Sequence, residues 1–166
     1  MGTALKIDSD KTLPIAVIGQ TYRFNIIASG GVGFYRWEIS GEGLPTGLVG
    51  SPVNCNEQNT CSYFSITGVP KKVGIYDFTL KIFSGQEQAL KIFFITIQPP
   101  AVKITTTNLP NGKANYDYSS NIEAVGGTDT YHWSIVGTLP KGLRMESVPC
   151  PSFPCQGPLR IFGVPL

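Results

Sequence analysis

The stretch Gly30-Gly31-Val32-Gly33-Phe34-Tyr35-Arg36-Trp37-Glu38-Ile39 reappears later in the chain as Gly126-Gly127-Thr128-Asp129-Thr130-Tyr131-His132-Trp133-Ser134-Ile135. Extending the match outward keeps it in register. Upstream, Tyr22, Asn25, Ile26 and Ala28 are answered by Tyr118, Asn121, Ile122 and Ala124. Downstream, after a one-residue deletion, Leu44-Pro45-x-Gly47-Leu48 is answered by Leu139-Pro140-x-Gly142-Leu143. Cys55 and Cys61 are then answered by Cys150 and Cys155, and Ile66-x-Gly68-Val69-Pro70 by Ile161-x-Gly163-Val164-Pro165. The period, about 95 residues, is too long for a solenoid unit and suits a self-contained β-sandwich. The expected organisation is a first sandwich over residues 1–98, a stiff Pro-rich linker over 99–101, and a second sandwich over 102–166. The counterpart of residues 71–98 is missing from that second copy. Proline fixes φ and biases the residue before it away from helix, which gives Pro99-Pro100 its stiffness.

The quoted stretch also decides the element type. Tyr35, Trp37 and Ile39 alternate with Arg36 and Glu38, the two-residue period of a half-buried strand. The segments 22–28, 74–83 and 89–97 alternate likewise, and Ser84-Gly85-Gln86 marks a hairpin turn between the last two. Glycine (19) and proline (13) make up nearly a fifth of the 166 residues, and no window shows capped helical spacing. The fold class expected is all-β: tandem immunoglobulin-like or cadherin-like sandwiches, the second lacking its last two strands.

Composition excludes several functions. Thirteen basic and 11 acidic residues leave a net charge of +2, with the lysines dispersed, so no basic stripe for nucleic acid forms. The longest apolar stretch, 92–97, is too short to span a bilayer. There is a single histidine, His132, whose repeat mate is Arg36; a position that alternates between Arg and His reads as a solvated surface group rather than a general base. No nucleophile elbow, zinc-protease motif or phosphate loop occurs, so no catalytic residue is assigned and the chain is expected not to be an enzyme.

The four cysteines form two local pairs, Cys55 with Cys61 and Cys150 with Cys155, each inside a polar or Pro-rich loop. Even, local pairing reads as two short-loop disulfides and an oxidising compartment, extracellular or cell-surface with the periplasm as a variant. Reduced, buried thiols and a four-Cys zinc site are the alternatives, and the spacing is wrong for a zinc knuckle. The start Met1-Gly2-Thr3 lacks a secretory signal.

In order, Leu13-Pro14, Gly19 and Tyr22, Gly30-Gly31, Tyr35/Trp37/Ile39, Gly43-Leu44-Pro45-x-Gly47-Leu48, Ile66-x-Gly68-Val69-Pro70 and Gly74-x-Tyr76-x-Phe78-Thr79 resemble the bacterial immunoglobulin-type tandem repeats related to dystroglycan-type cadherin-like domains. The resemblance covers nearly the whole chain. It implies tandem sandwiches in an extracellular or surface protein, used as spacers, adhesive stalks, surface-layer parts or accessories to secreted enzymes. Cadherin-like relatives carry acidic calcium motifs at domain junctions. Here the turn at 83–86 has no Asp, which leaves Asp8 and Asp10 as weak calcium candidates against a reading as solvated turn acids. No other cofactor is expected.

The paired aromatics Tyr35, Trp37, Tyr131 and Trp133 read as structural core, with a sugar-stacking platform as the alternative. Phe34, replaced by Thr130 in the second copy, and Phe153, at the tip of the second Cys loop, are the candidate contact residues. The function expected is a non-catalytic structural or adhesive module of a cell-surface stalk, filament or surface layer. The alternative is a carbohydrate- or protein-binding accessory module of a secreted enzyme. Expected partners are neighbouring repeats or subunits, joined end to end or by strand edges, and a surface protein or glycan. A sandwich short of two strands exposes core and edge, so either the chain continues past Leu166 or another chain supplies the strands.

Overall fold

The computed structural model describes residues 3–33, 35–56, 61–148 and 156–166. The chain divides into two compact units, Met1–Gln98 and Pro99–Leu166. No helix occurs among the described residues, and so none is long and apolar enough to cross a membrane.

Unit 1 contains β1 (Lys6–Ile7), β2 (Ala16–Val17), β3 (Tyr22–Ser29), β4 (Arg36–Ser40), β5 (Leu48–Cys55), β6 (Cys61–Gly68), β7 (Gly74–Ser84) and β8 (Glu87–Gln98). They form two four-stranded sheets, in the orders β1-β3-β6-β5 and β2-β8-β7-β4. All neighbours are antiparallel except β2, which runs parallel to the end of β8. This is an immunoglobulin-like sandwich: β5–β6 and β7–β8 are hairpins within a sheet, and the other connections cross between the sheets.

Alternation in the long strands supplies the core. Ile26 of β3, Ile66 of β6, Leu80 and Ile82 of β7, and Phe93 and Ile95 of β8 are fully buried between the sheets. Phe78 stacks on Phe93 at a ring separation of 5.5 Å. The two-residue turn Gly85-Gln86 joins β7 to β8 and keeps these inward residues in phase. Tyr76, at the start of β7, donates its hydroxyl back to the carbonyl of Lys72 at 3.2 Å, pinning the crossover from the other sheet. Ile39 departs from the sequence expectation: it lies at the end of β4 and is 40% exposed, so the inward row of β4 ends at Trp37.

Unit 2 contains β9 (Lys103–Ile104), β10 (Tyr118–Ile122), β11 (Ala124–Val125), β12 (Leu143–Ser147) and β13 (Leu159–Gly163). The sheet β10-β13-β12 keeps the register of unit 1: Tyr118 and Leu143 lie opposite Gly163 as Tyr22 and Leu48 lie opposite Gly68. β9 pairs with β11. Residues 132–136, the counterpart of β4, form no strand. In unit 1 that segment is held by β7, and no strand of unit 2 pairs with it among the described residues.

Two motifs of the repeat turn out to be one contact. The carbonyl of Gly47 accepts the Val69 N–H at 2.9 Å, and the carbonyl of Thr46 accepts the Lys71 N–H at 3.0 Å. Gly47 and Gly68 both have positive φ, and a Cβ on Gly68 would stand 2.2 Å from the Gly47 oxygen. Only glycine lets the backbones close here. Unit 2 repeats the clasp at Gly142 and Gly163, where Leu166 N–H donates to Lys141 O at 3.0 Å.

Candidate functional site

The aromatic pair singled out by the repeat has the same local wiring in both units. In unit 1 the Tyr35 hydroxyl donates to Gly30 O at 3.2 Å and the Trp37 indole N–H donates to Cys61 O at 3.3 Å. In unit 2 Tyr131 donates to Gly126 O at 2.7 Å and Trp133 to Gly157 O at 3.2 Å. Both pairs are edge-to-face, with ring separations of 5.9 and 6.0 Å. Burial separates them. Tyr35 and Trp37 are buried, with Trp37 against Phe64, and desolvation followed by the charge of Asp8 pushes the Tyr35 hydroxyl above its ordinary pKa. Tyr131 and Trp133 are only half-buried, short of the core placement expected from their mates. In unit 1 β4 lies beside β7 in one sheet and Trp37 packs on Phe64 of the facing sheet, whereas among the described residues of unit 2 no strand pairs with residues 132–136.

That difference opens a cleft of about 500 Å3 in unit 2. Val102, Ile104, Ala124, Tyr131 and Trp133 supply its apolar lining. His132 and Ser134 lie on its rim, His132 being exposed. The lining is mostly apolar and holds no buried charge. It suits apolar side chains rather than proton transfer.

The other candidates are dispersed. Cys55 and Cys61 form a disulfide that closes the β5–β6 hairpin, where they are also cross-strand partners. Cys150, Cys155, Phe153 and Phe34 lie outside the described residues. Asp8 pairs with Lys6 at 3.0 Å, and hydrogen bonding from Ser29, then Lys6, lowers its pKa from the ordinary 3.8. The Lys91 ammonium donates to the carbonyls of Ile7 and Ser9 at 3.0 and 2.7 Å. The Lys91 ammonium thus occupies the two carbonyls that flank Asp8. Among the described residues no three His, Cys, Asp or Glu side chains gather as a metal site.

Sequence reasoning overlooked two groups. Ser84, Glu87 and Lys91 fasten the β7–β8 hairpin to the rest of unit 1: Ser84 Oγ accepts the Val32 N–H at 2.9 Å and the Glu87 carboxylate accepts the Leu5 N–H at 2.9 Å. Val102 and Ile104, which line the cleft, repeat Leu5 and Ile7. Their apolar character was the signal, since in unit 1 those mates are buried.

No protein-family model matches the chain, and no curated protein matches it. Solved structures do. The titin domains z1z2 in complex with telethonin align with 99% of this chain and 83% of theirs, at 10% identity and a TM-score of 0.50. An endo-fucoidan hydrolase of glycoside hydrolase family 107 aligns at 18% identity over 93% of this chain, with a TM-score of 0.43. A candidate alpha-galactosidase from Bacteroides fragilis aligns at 24% identity over 57%, also with a TM-score of 0.43. The chain spans only 23% and 17% of the lengths of these last two proteins. The titin likeness agrees with the strand order: the units are all-β immunoglobulin-like sandwiches.

Proposed function

We propose that this chain is a non-catalytic, extracellular structural or adhesive repeat module of the bacterial dystroglycan-type cadherin-like kind. Surface stalks, filaments and surface layers are built from such modules. One observation carries the reading: the residues that recur in both units are consumed in holding backbone to backbone. Gly47 with Gly68, Gly142 with Gly163, Tyr35 with Gly30, Tyr131 with Gly126, and the two indoles all close onto carbonyls of their own unit. A sequence duplicated for a reaction would recur at an exposed cluster of titratable groups instead. The Cys55–Cys61 disulfide supports an oxidising compartment.

The test is differential alkylation of the protein taken from its native source without reduction. Cys55 and Cys61 should resist labelling until a reductant is added. Immediate labelling of both would contradict the extracellular assignment.

A further inference from the structure

We propose that the outer face of the β2-β8-β7-β4 sheet in unit 1 docks onto the same face of a second copy of this chain. The two copies are related by a two-fold axis that passes over Thr79 and Ile92.

The face is apolar where a solvated sheet is polar. Ile75 of β7 is 76% exposed, and Leu90, Ile92 and Phe94 of β8 are 66%, 48% and 40% exposed. The three β8 residues stand at every second position, so they form one outward row. The middle row of the other sheet's outer face is Asn25, Ser65 and Ser51, all polar. Contiguous exposed apolar side chains mark an interaction surface rather than a solvated face.

The pattern across the face identifies the occupant. Side by side on β7 and β8 stand Ile75 with Thr96, Asp77 with Phe94, Thr79 with Ile92, Lys81 with Leu90, and Phe83 with Gln88. Followed outward from Thr79 and Ile92, the two directions match in polarity. Apolar residues end the β7 row, polar residues end the β8 row, and Leu90 answers Phe94. Charge alone is opposite, with Asp77 on one side and Lys81 on the other. An in-plane two-fold axis across the strands lays β7 antiparallel on β7 of the second copy, and β8 on β8. Each Lys81 then meets the second copy's Asp77, Leu90 meets Phe94, Phe83 meets Ile75, and Ile92 meets itself. An axis along the strands would set Lys81 on Lys81 and Asp77 on Asp77, which like charge disfavours. Sheets stacked face to face keep their strand directions within about 30° of each other, which the axis across the strands allows.

Both charges are available for this contact. Asp77 is exposed, and among the described residues neither Asp77 nor Lys81 belongs to an ion pair. The Lys81 Nζ lies 4.6 Å from the centre of the Phe83 ring, which keeps the ammonium on the face. Arg36 stacks on the same ring at 4.0 Å and pairs with Glu38, so those two charges satisfy each other within the chain.

Sedimentation equilibrium of the full chain, at concentrations up to about 1 mM, tests the contact. The parent should shift toward twice the chain mass as concentration rises. Asp77→Lys sets a second ammonium against Lys81 at both symmetric sites, and Lys81→Asp sets a second carboxylate against Asp77. Each variant alone should self-associate about tenfold or more weakly. An equimolar mixture of the two restores opposite charges at both sites and should associate within about threefold of the parent. Recovery in the mixture also shows that both variants are folded. A parent that stays monomeric at about 1 mM would overturn the proposal. So would single variants that self-associate like the parent, or a mixture no tighter than its components.

Discussion

Gly68 stands so close to Gly47 that a methyl group on it would reach 2.2 Å from the Gly47 carbonyl oxygen. The contact joins the loop before β5 to the end of β6, and both glycines have positive φ. Gly68→Ala therefore adds a backbone clash to a strained φ and should destabilise unit 1 by about 3 kcal/mol. That lowers its Tm by roughly 10–20 °C. Gly19→Ala has a positive φ but nothing within 4 Å, and should cost only about 1 kcal/mol. Calorimetry of the two variants separates strain from collision.

Tyr22 carries the opposite defect. Its hydroxyl is buried without a hydrogen-bond partner, and desolvation pushes its pKa up to about 12 from 10.0. Tyr22→Phe should stabilise unit 1 by about 1 kcal/mol, since it removes a desolvated polar group and keeps the ring. The phenol is held neutral in the fold but ionises from pH 10 when unfolded. Its proton is thus retained preferentially by the folded state, and stability falls as pH rises from 10 toward 12. Alkaline melting curves should show that fall in the parent and a shallower one in the variant.

Asp8 works at the other end of the pH scale. Its pKa lies below 3.8 through hydrogen bonding from Ser29 and its pairing with Lys6. A lowered pKa means that the stabilisation is present above pH 3.8 and is lost as pH falls through the folded-state value. The group is exposed, so the effect is small and salt-sensitive. Asp8→Asn should lower the Tm of unit 1 slightly at neutral pH and converge with the parent in acid, which flattens the acid limb of the Tm curve.

Cys55 and Cys61 are cross-strand partners as well as a disulfide. Closing so short a loop stabilises by about 2 kcal/mol on the chain-entropy estimate. Reduction should lower the Tm of unit 1 by roughly 10 °C. Trp37→Phe should cost about 1–2 kcal/mol, because it removes one donor to Cys61 O together with the indole packed on Phe64. Trp133→Phe should cost less, since that indole is half-exposed.

Alternation and the repeat made the strands and the sandwich class legible, because periodicity two and turn glycines are local signals. Contacts between distant segments were not. Leu-Pro-x-Gly-Leu and Gly-Val-Pro read as two motifs, yet Gly47 and Gly68 are halves of one clasp. The degree of burial of the second aromatic pair was not legible for a related reason. Tyr131 and Trp133 inherit the residue types of Tyr35 and Trp37, but burial depends on what lies above them. Residue identity carries that information only when the covering strands are present. Ile39 shows the same limit within unit 1: its alternation phase is inward and it pairs with Leu80 of β7, yet it stays 40% exposed.

Segment-resolved hydrogen exchange of the full chain at neutral pH tests most directly the claim that one duplicated sequence builds a closed sandwich in unit 1 and an open face in unit 2. Residues 36–40 and the Trp37 indole should be protected to the level of β6, and residues 132–136 should exchange near the unprotected rate while β10 and β13 stay protected. Equal protection of 36–40 and 132–136 in the chain alone would contradict the account.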